Sequence, residues 1–136
     1  MPNNTNNFIK TAIATDAAPA AIGPYSQGIK AGDFVFFSGQ IPLIPSTGEL
    51  VNSDIEVQTK QVMNNMQAAL AGANLNFSHV VKTTIFLTDL NDFGAVNEIY
   101  ANFFPLPAPA RACVQVAALP RGCAIEIEWV AYCGAA

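Results

Sequence analysis

Apolar and polar positions along this chain change their period several times, and each change marks an element. Residues 1–10 are Asn-rich and read as a frayed lead-in. Residues 11–24, rich in Ala and Pro, are expected to be extended or looped up to Gly23-Pro24-Tyr25. Two short strands, 27–31 and 34–38, flank Gly32-Asp33, a hairpin signal. Pro42, Pro45 and Ser46-Thr47-Gly48 make 39–52 a loop. Ser53-Asp54-Ile55-Glu56 then reads as a capping box, with the serine oxygen and the glutamate meeting free N–H groups at a helix start. Val62, Met66, Leu70 and Ala73 recur on one helical face, and Gly72 with Asn74 suits the C-terminal end.

Further along, residues 80–87 are apolar on both faces, as in a central strand. Asp92 is placed to cap a second helix, 93–104, with Val96, Ile99, Tyr100 and Phe103 as its buried stripe. Three prolines between 105 and 109 end it, and 111–118 and 124–133 read as strands around Leu119-Pro120-Arg121-Gly122. The order ββαβαββ predicts an α+β fold: a single mixed β-sheet with two helices packed on one face, in one domain covering 1–136. The chain has no internal repeat.

Alternation in the last two strands carries the chemistry. Arg111, Cys113, Gln115 and Ala117 share a face, opposite Ala112, Val114 and Val116; Ile125, Ile127, Trp129, Ala131 and Cys133 lie opposite Glu126, Glu128, Val130 and Tyr132. With the helices over the apolar faces, the other side is expected to show Arg111, Gln115, Glu126 and Glu128 together. Such charges need partners. Two readings stay open: a solvated face with a structural Arg–Glu pair, or an anion pocket. In the second, the guanidinium grips a carboxylate and a glutamate handles water or a proton. Glu126 beside Arg111 is expected to stay ionised.

Composition narrows the class. Half the chain is apolar (51%) and only 12% is charged, about half the usual ~25%. So small a globule needs polar surface, and its scarcity predicts a face hidden in an oligomer. A net charge of −4, with six Lys and Arg in no cluster, argues against broad nucleic-acid binding. No apolar run is long enough to span a membrane, and the start lacks the features of a secretory or transit signal, so a cytoplasmic protein is expected. Cys113, Cys123 and Cys133 with the lone His79 match no metal-ligand spacing and are expected as reduced, mostly buried thiols. His79 reads as a polar residue at a strand entrance. Ser38 has no plausible Ser-His-Asp arrangement, and nothing supplies a base for Cys113 as a nucleophile. Tyr25 after Gly-Pro reads more readily as loop packing than as catalysis.

Taken together, several segments resemble the YjgF/RidA family: Ala21-Ile22-Gly23-Pro24-Tyr25-Ser26-Gln27, Ser38-Gly39-Gln40-Ile41-Pro42, Val81-Lys82-Thr83-Thr84 and Asp89-Leu90-Asn91-Asp92-Phe93. Val96-Asn97-Glu98-Ile99-Tyr100, Pro109-Ala110-Arg111-Ala112-Cys113-Val114 and Ile125-Glu126-Ile127-Glu128 complete the set, in order from about residue 11 to 133. The resemblance implies a chorismate-mutase-like fold, a homotrimer with clefts between subunits, and no cofactor. It also implies a deaminase that hydrolyses reactive enamine/imine acids such as 2-aminoacrylate to 2-keto acids and ammonia. Small 2-imino and 2-keto acids are then the partners. In this reading Arg111 binds the substrate carboxylate and Glu126 holds the attacking water, while Tyr25, Ser38, Gly39, Asn97 and the backbone of Cys113 line the pocket. The short connection Pro105-Leu106-Pro107-Ala108 departs from relatives with a longer polar loop and would reshape the pocket mouth. Rival readings are an RNA-cleaving translation inhibitor and a non-catalytic ligand-binding or chaperone-like trimer.

Overall fold

A computed structural model describes residues 9–134; the reading of residues 1–8 as frayed lies outside them. Among the described residues six strands form one mixed sheet: β1 (Thr11–Ile13), β2 (Gly28–Ala31), β3 (Phe34–Gln40), β4 (Val80–Leu87), β5 (Ala110–Gln115) and β6 (Ile125–Tyr132), in the spatial order β1-β2-β3-β6-β4-β5. Only β4 and β5 run parallel; every other neighbouring pair is antiparallel. Helix α1 (Ile55–Gly72) connects β3 to β4, and α2 (Phe93–Ala101) connects β4 to β5. Both connections join parallel strands and step in the same direction across the sheet. The uniform handedness of such crossovers therefore puts both helices on one face. The last strand, β6, fills the gap left between β3 and β4.

The expected α+β sheet with helices on one face is the observed one, with one strand more than the chain pattern predicted. Thr11–Ile13, within the stretch expected to be extended or looped, is an edge strand, in register Thr11↔Lys30 and Ile13↔Gly28. It gives β2 backbone partners that would otherwise face solvent.

The core lies between the helices and the sheet. From α1 come Val62, Met63, Met66, Ala69 and Leu70; from β6 come Ile125, Ile127, Trp129 and Ala131. Ala73 of the expected helical stripe is the C-terminal cap, followed by Asn74 at φ 61. Strand β4 is interior to the sheet but covered on one face only. Thr83, Ile85 and Leu87 are buried beneath the helices, whereas Lys82, Thr84 and Phe86 belong to the open side.

Three ends of the two helices lie elsewhere than their sequence signals suggested. Asp54, not Ser53, caps α1, its carboxylate accepting from Val57 N at 3.0 Å. The Ser53 carbonyl instead accepts from the Gln58 side chain at 2.9 Å. Asp92 makes no side-chain cap for α2; Asp89 accepts from Asn91 N and starts a 3-10 turn, Leu90–Asp92, that leads into the helix. Helix α2 stops at Ala101, and Phe103 and Phe104 turn back to pack on Phe77. His79 sits at the entrance to β4 as expected, its Nδ1 accepting from Asn76 N at 3.0 Å.

The two cap assignments for α1 separate in a stability measurement. Asp54→Ala is expected to cost about 1 kcal/mol, the usual worth of a side-chain cap, while Ser53→Ala leaves the melting midpoint nearly unchanged. Equal losses in thermal unfolding would return the cap to Ser53.

Candidate active site

The site residues named from the sequence fall into two groups on opposite faces of the sheet. Arg111 is in register with Thr83 of β4, and Thr83 with Trp129 of β6. Side chains in register share a face, so Arg111 and Cys113 belong to the helix side, with Trp129 and Ile127. Glu126 pairs with Phe86 and Glu128 with Thr84, which puts both glutamates on the open side. The expected single face showing Arg111, Gln115, Glu126 and Glu128 therefore does not exist within one chain. The cause is strand order: β4 lies between β5 and β6, and Val114, assigned above to the helix side, is 41% exposed on the open one.

The first group surrounds Arg111 on the edge strand β5. Its Nη1 donates to Asn97 Oδ1 of α2 at 2.6 Å. Cys113, half-buried two residues on, packs against the core. Burial raises its thiol pKa, against the opposing pull of Arg111, so the thiol stays protonated and is a poor nucleophile. Gln115, also on this face, accepts from Leu90 N at 2.8 Å and ties β5 to the turn before α2.

The second group walls a cavity of about 550 Å³ that includes Tyr25, Ser38, Gly39 and Glu126. A bulge in β3 between Phe37 and Gln40 shapes it. There the Ser38 hydroxyl donates to the Ser26 carbonyl at 2.6 Å, pulling the Tyr25 loop against the strand. Gly39 lies flush with the Glu126 carboxylate, and a Cβ at that position would collide with Glu126 Oε2. Half-buried, Glu126 has its carboxyl raised above the usual carboxylate range, first by desolvation and then by the negative charge of Glu128. The expectation that Arg111 keeps it ionised fails within one chain, because the two lie on opposite faces.

Sequence reasoning passed over Arg121, Ile22 and Ile41, which also line this cavity. Arg121 has φ 63 and donates to the Gly48 carbonyl at 3.3 Å. It stood in the sequence as part of a turn signal, and only the loop packing brings it to the cavity. Nor did the pattern reveal what holds the walls. Buried Gln27 accepts from Thr15 N at 2.7 Å and donates to the Pro19 carbonyl at 2.8 Å. Asn65 of α1 donates to the carbonyls of Ile41 and Leu43 at 3.2 and 2.9 Å. Gln58 accepts from Ala124 N at 2.9 Å. Among the described residues, no group of three or more His, Cys, Asp and Glu could hold a metal ion. No described helix is long and apolar enough to cross a membrane.

A six-stranded sheet with two helices on one face and a pocket of small-molecule size beside Glu126 defines the class: a small α+β protein with a concave site suited to a compact ligand. The family model described as Endoribonuclease L-PSP matches residues 15–133, and the chain belongs to that family, the YjgF/RidA family. Among its relatives is the chloroplastic Reactive Intermediate Deaminase A of Arabidopsis thaliana, 55% identical over 122 residues, 90% of this chain. The match spans 65% of that longer protein. The 2-iminobutanoate/2-iminopropanoate deaminase of Mus musculus is 48% identical over 129 residues, 95% of this chain and 96% of that one. The solved structure of E. coli TdcF with bound serine superposes with a TM-score of 0.85 at 44% identity, covering 90% of this chain and 98% of that one.

The two causes of the raised Glu126 carboxyl are separable by NMR titration of the side-chain carboxyl carbons. Glu128→Gln removes a like charge that favours the protonated form, so Glu126 is expected to titrate at lower pH than in the parent protein. No movement in the variant would leave burial as the sole cause.

Proposed function

We propose that this protein is a deaminase that hydrolyses reactive 2-enamine and 2-imino acids, such as 2-aminoacrylate and 2-iminopropanoate, to 2-keto acids and ammonia. The pocket is completed between the subunits of a homotrimer. The observation that carries this reading is the division of the site. Arg111 with Asn97 and Cys113 stands on the helix side of an edge strand, while Tyr25, Ser38, Gly39 and Glu126 surround a cavity elsewhere on the same chain. Arg111 and Glu126 lie on opposite faces of one chain, so these two can meet only if a neighbouring subunit brings its Arg111 to this cavity. The low charge content supports a hidden face between subunits. The names of the Arabidopsis and mouse relatives support the reaction, and TdcF binds serine, which carries the same carboxylate as a 2-imino acid.

The chemistry matches this inventory. An imine carbon is already electrophilic, so hydrolysis needs placement and proton transfer rather than a covalent nucleophile. Arg111 uses one of its five N–H donors on Asn97, which leaves the rest for the substrate carboxylate. Glu126 takes a proton as water adds to the imine carbon and returns it to nitrogen. The hydroxyl proton of the resulting carbinolamine then passes to nitrogen as the C–N bond breaks, and ammonia leaves a 2-keto acid. A neighbouring subunit's Arg111 at this cavity would favour the ionised Glu126, the form that accepts the proton. Ile22 and Ile41 offer the substrate side chain an apolar wall, and the backbone at Cys113 lines the pocket beside Arg111.

The description of the family model favours a second reading, RNA cleavage. The chain carries six basic against ten acidic residues, and phosphate binding draws on clustered cations. RNA cleavage that survives Arg111→Ala would come from another surface.

Light scattering is expected to give about 43 kDa, three chains of 14.4 kDa; a monomer at micromolar concentration overturns the shared pocket. The sharper test mixes two strongly impaired variants, Arg111→Ala and Glu126→Gln, by unfolding and refolding them together. If each pocket takes its arginine and glutamate from different subunits, random assembly leaves about a quarter of the pockets intact and restores about a quarter of the parent activity. A pocket formed within one chain gives no restoration.

Arg111→Lys is expected to lose nearly as much kcat/KM on 2-aminoacrylate as Arg111→Ala, because an ammonium cannot match a carboxylate with two parallel N–H bonds. Glu126→Gln is expected to bind 2-keto acids normally while kcat falls. Near-parent turnover in either variant would sink its assigned role.

A further inference from the structure

Arg111 is exposed, on an edge strand, and among the described residues hydrogen-bonded to one side chain. A long side chain in that setting samples many rotamers, and each one lost on binding costs affinity. The surroundings of the guanidinium oppose this freedom. Its Cζ lies 5.3 Å from the centroid of the Phe93 ring and 5.1 Å from that of Tyr100. Phe93, Asn97 and Tyr100 are spaced four and three apart on α2 and so share one helical face. One stripe thus meets the guanidinium with a ring, an amide oxygen and a second ring. Tyr100 is itself fixed: its hydroxyl and Thr83 Oγ1 are 2.8 Å apart in the core, and Thr83 is the β4 residue in register with Arg111. Phe104 packs on the same ring with centroids 4.5 Å apart.

We propose that Phe93 and Tyr100 are positioning residues that hold the Arg111 guanidinium plane and direct its free N–H donors outward for a carboxylate. Thr83 anchors Tyr100 from beneath. The inference rests on the reading of Arg111 as the carboxylate-binding group, and it extends that reading to residues that otherwise look like ordinary packing for α2. Ring faces attract the cation without using up its N–H donors, whereas a carboxylate in the same place would neutralise it. Asn97 sets the rotation of the head group, and the rings set its tilt. Burial keeps the Tyr100 phenol protonated, so the ring remains a neutral partner.

The test reads the arginine directly and then its consequence. NMR relaxation of the Arg111 Nε–Hε bond in the free protein is expected to show a restrained side chain that becomes mobile in Phe93→Leu, which keeps an apolar group but removes the ring. With the trimer and the melting midpoint unchanged, Phe93→Leu is expected to lower kcat/KM on 2-aminoacrylate about 10-fold, mostly through KM. Phe93→Tyr, which keeps the ring, is expected to stay within about 3-fold of the parent. In an Arg111→Ala background the same leucine substitution is expected to cost nothing further, because the group it positions is gone. An Arg111 side chain as mobile in the parent as in Phe93→Leu overturns the proposal. So does a leucine penalty that is undiminished without the arginine. Should the parent protein fail to hydrolyse 2-aminoacrylate, the deaminase reading falls, and the relaxation measurement still decides whether the rings hold the arginine.

Discussion

Everything about the site depends on the alternation of β6. Ile125, Ile127, Trp129 and Ala131 are packed beneath the helices with almost no exposure, and a shift of one residue would expose all four. At about 25 cal/mol per Å² of apolar surface, that exposure would cost several kcal/mol, a large share of the stability of a small domain. Glu126 is therefore held on the open face whatever its own preference. The same lock acts through β4. Thr83 and Ile85 are buried in register with Trp129 and Ile127, and the parallel pairing of β4 with β5 then fixes Arg111 on the helix side. Hydrophobic burial, acting through strand register, separates the two charged residues that the proposed reaction needs together.

This separation explains an otherwise awkward feature of Glu126. Within one chain it is half-buried against Gly39, beside a second glutamate and away from Arg111, and its carboxyl is raised accordingly. Desolvating a carboxylate without a counter-charge is unfavourable. A structure that tolerates it either gains something from the neutral form or completes the environment with another subunit. The charge-poor composition and the exposed apolar side chains Phe36 and Val114 on the open face point the same way.

Buried amides do for the cavity walls what the apolar core does for the sheet. Loops at 15–20 and 41–43 and the entry to β6 have carbonyls and N–H groups that the sheet cannot satisfy. Gln27, Asn65 and Gln58 satisfy them from within the core. Each amide both donates and accepts, so it can clamp irregular backbone that a hydroxyl or an apolar side chain would leave unpaired. A cavity walled by loops can then keep its shape without secondary structure of its own.

The sequence by itself determined the features whose energies are local. The hairpin around Gly32-Asp33, the helical spacing of Val62, Met66 and Leu70, the turn at Pro120-Arg121-Gly122 and the alternation of β6 all depend on neighbours within a few positions. They stand in the structure close to where the pattern placed them. The ordered motifs from Ala21 to Glu128 also identified the family. Caps shifted by a residue or a turn: Asp54 rather than Ser53 takes the Val57 N–H, and Asp89 takes the Asn91 N–H while Asp92 makes no side-chain cap. Only the tertiary structure decided strand order, and with it which face Arg111 occupies. Period-two alternation states that Arg111 and Val114 lie on opposite sides, but not which side meets the helices. That choice is made by the nonlocal pairing of β5 with β4, through Thr83, whose side chain reaches under α2 to Tyr100.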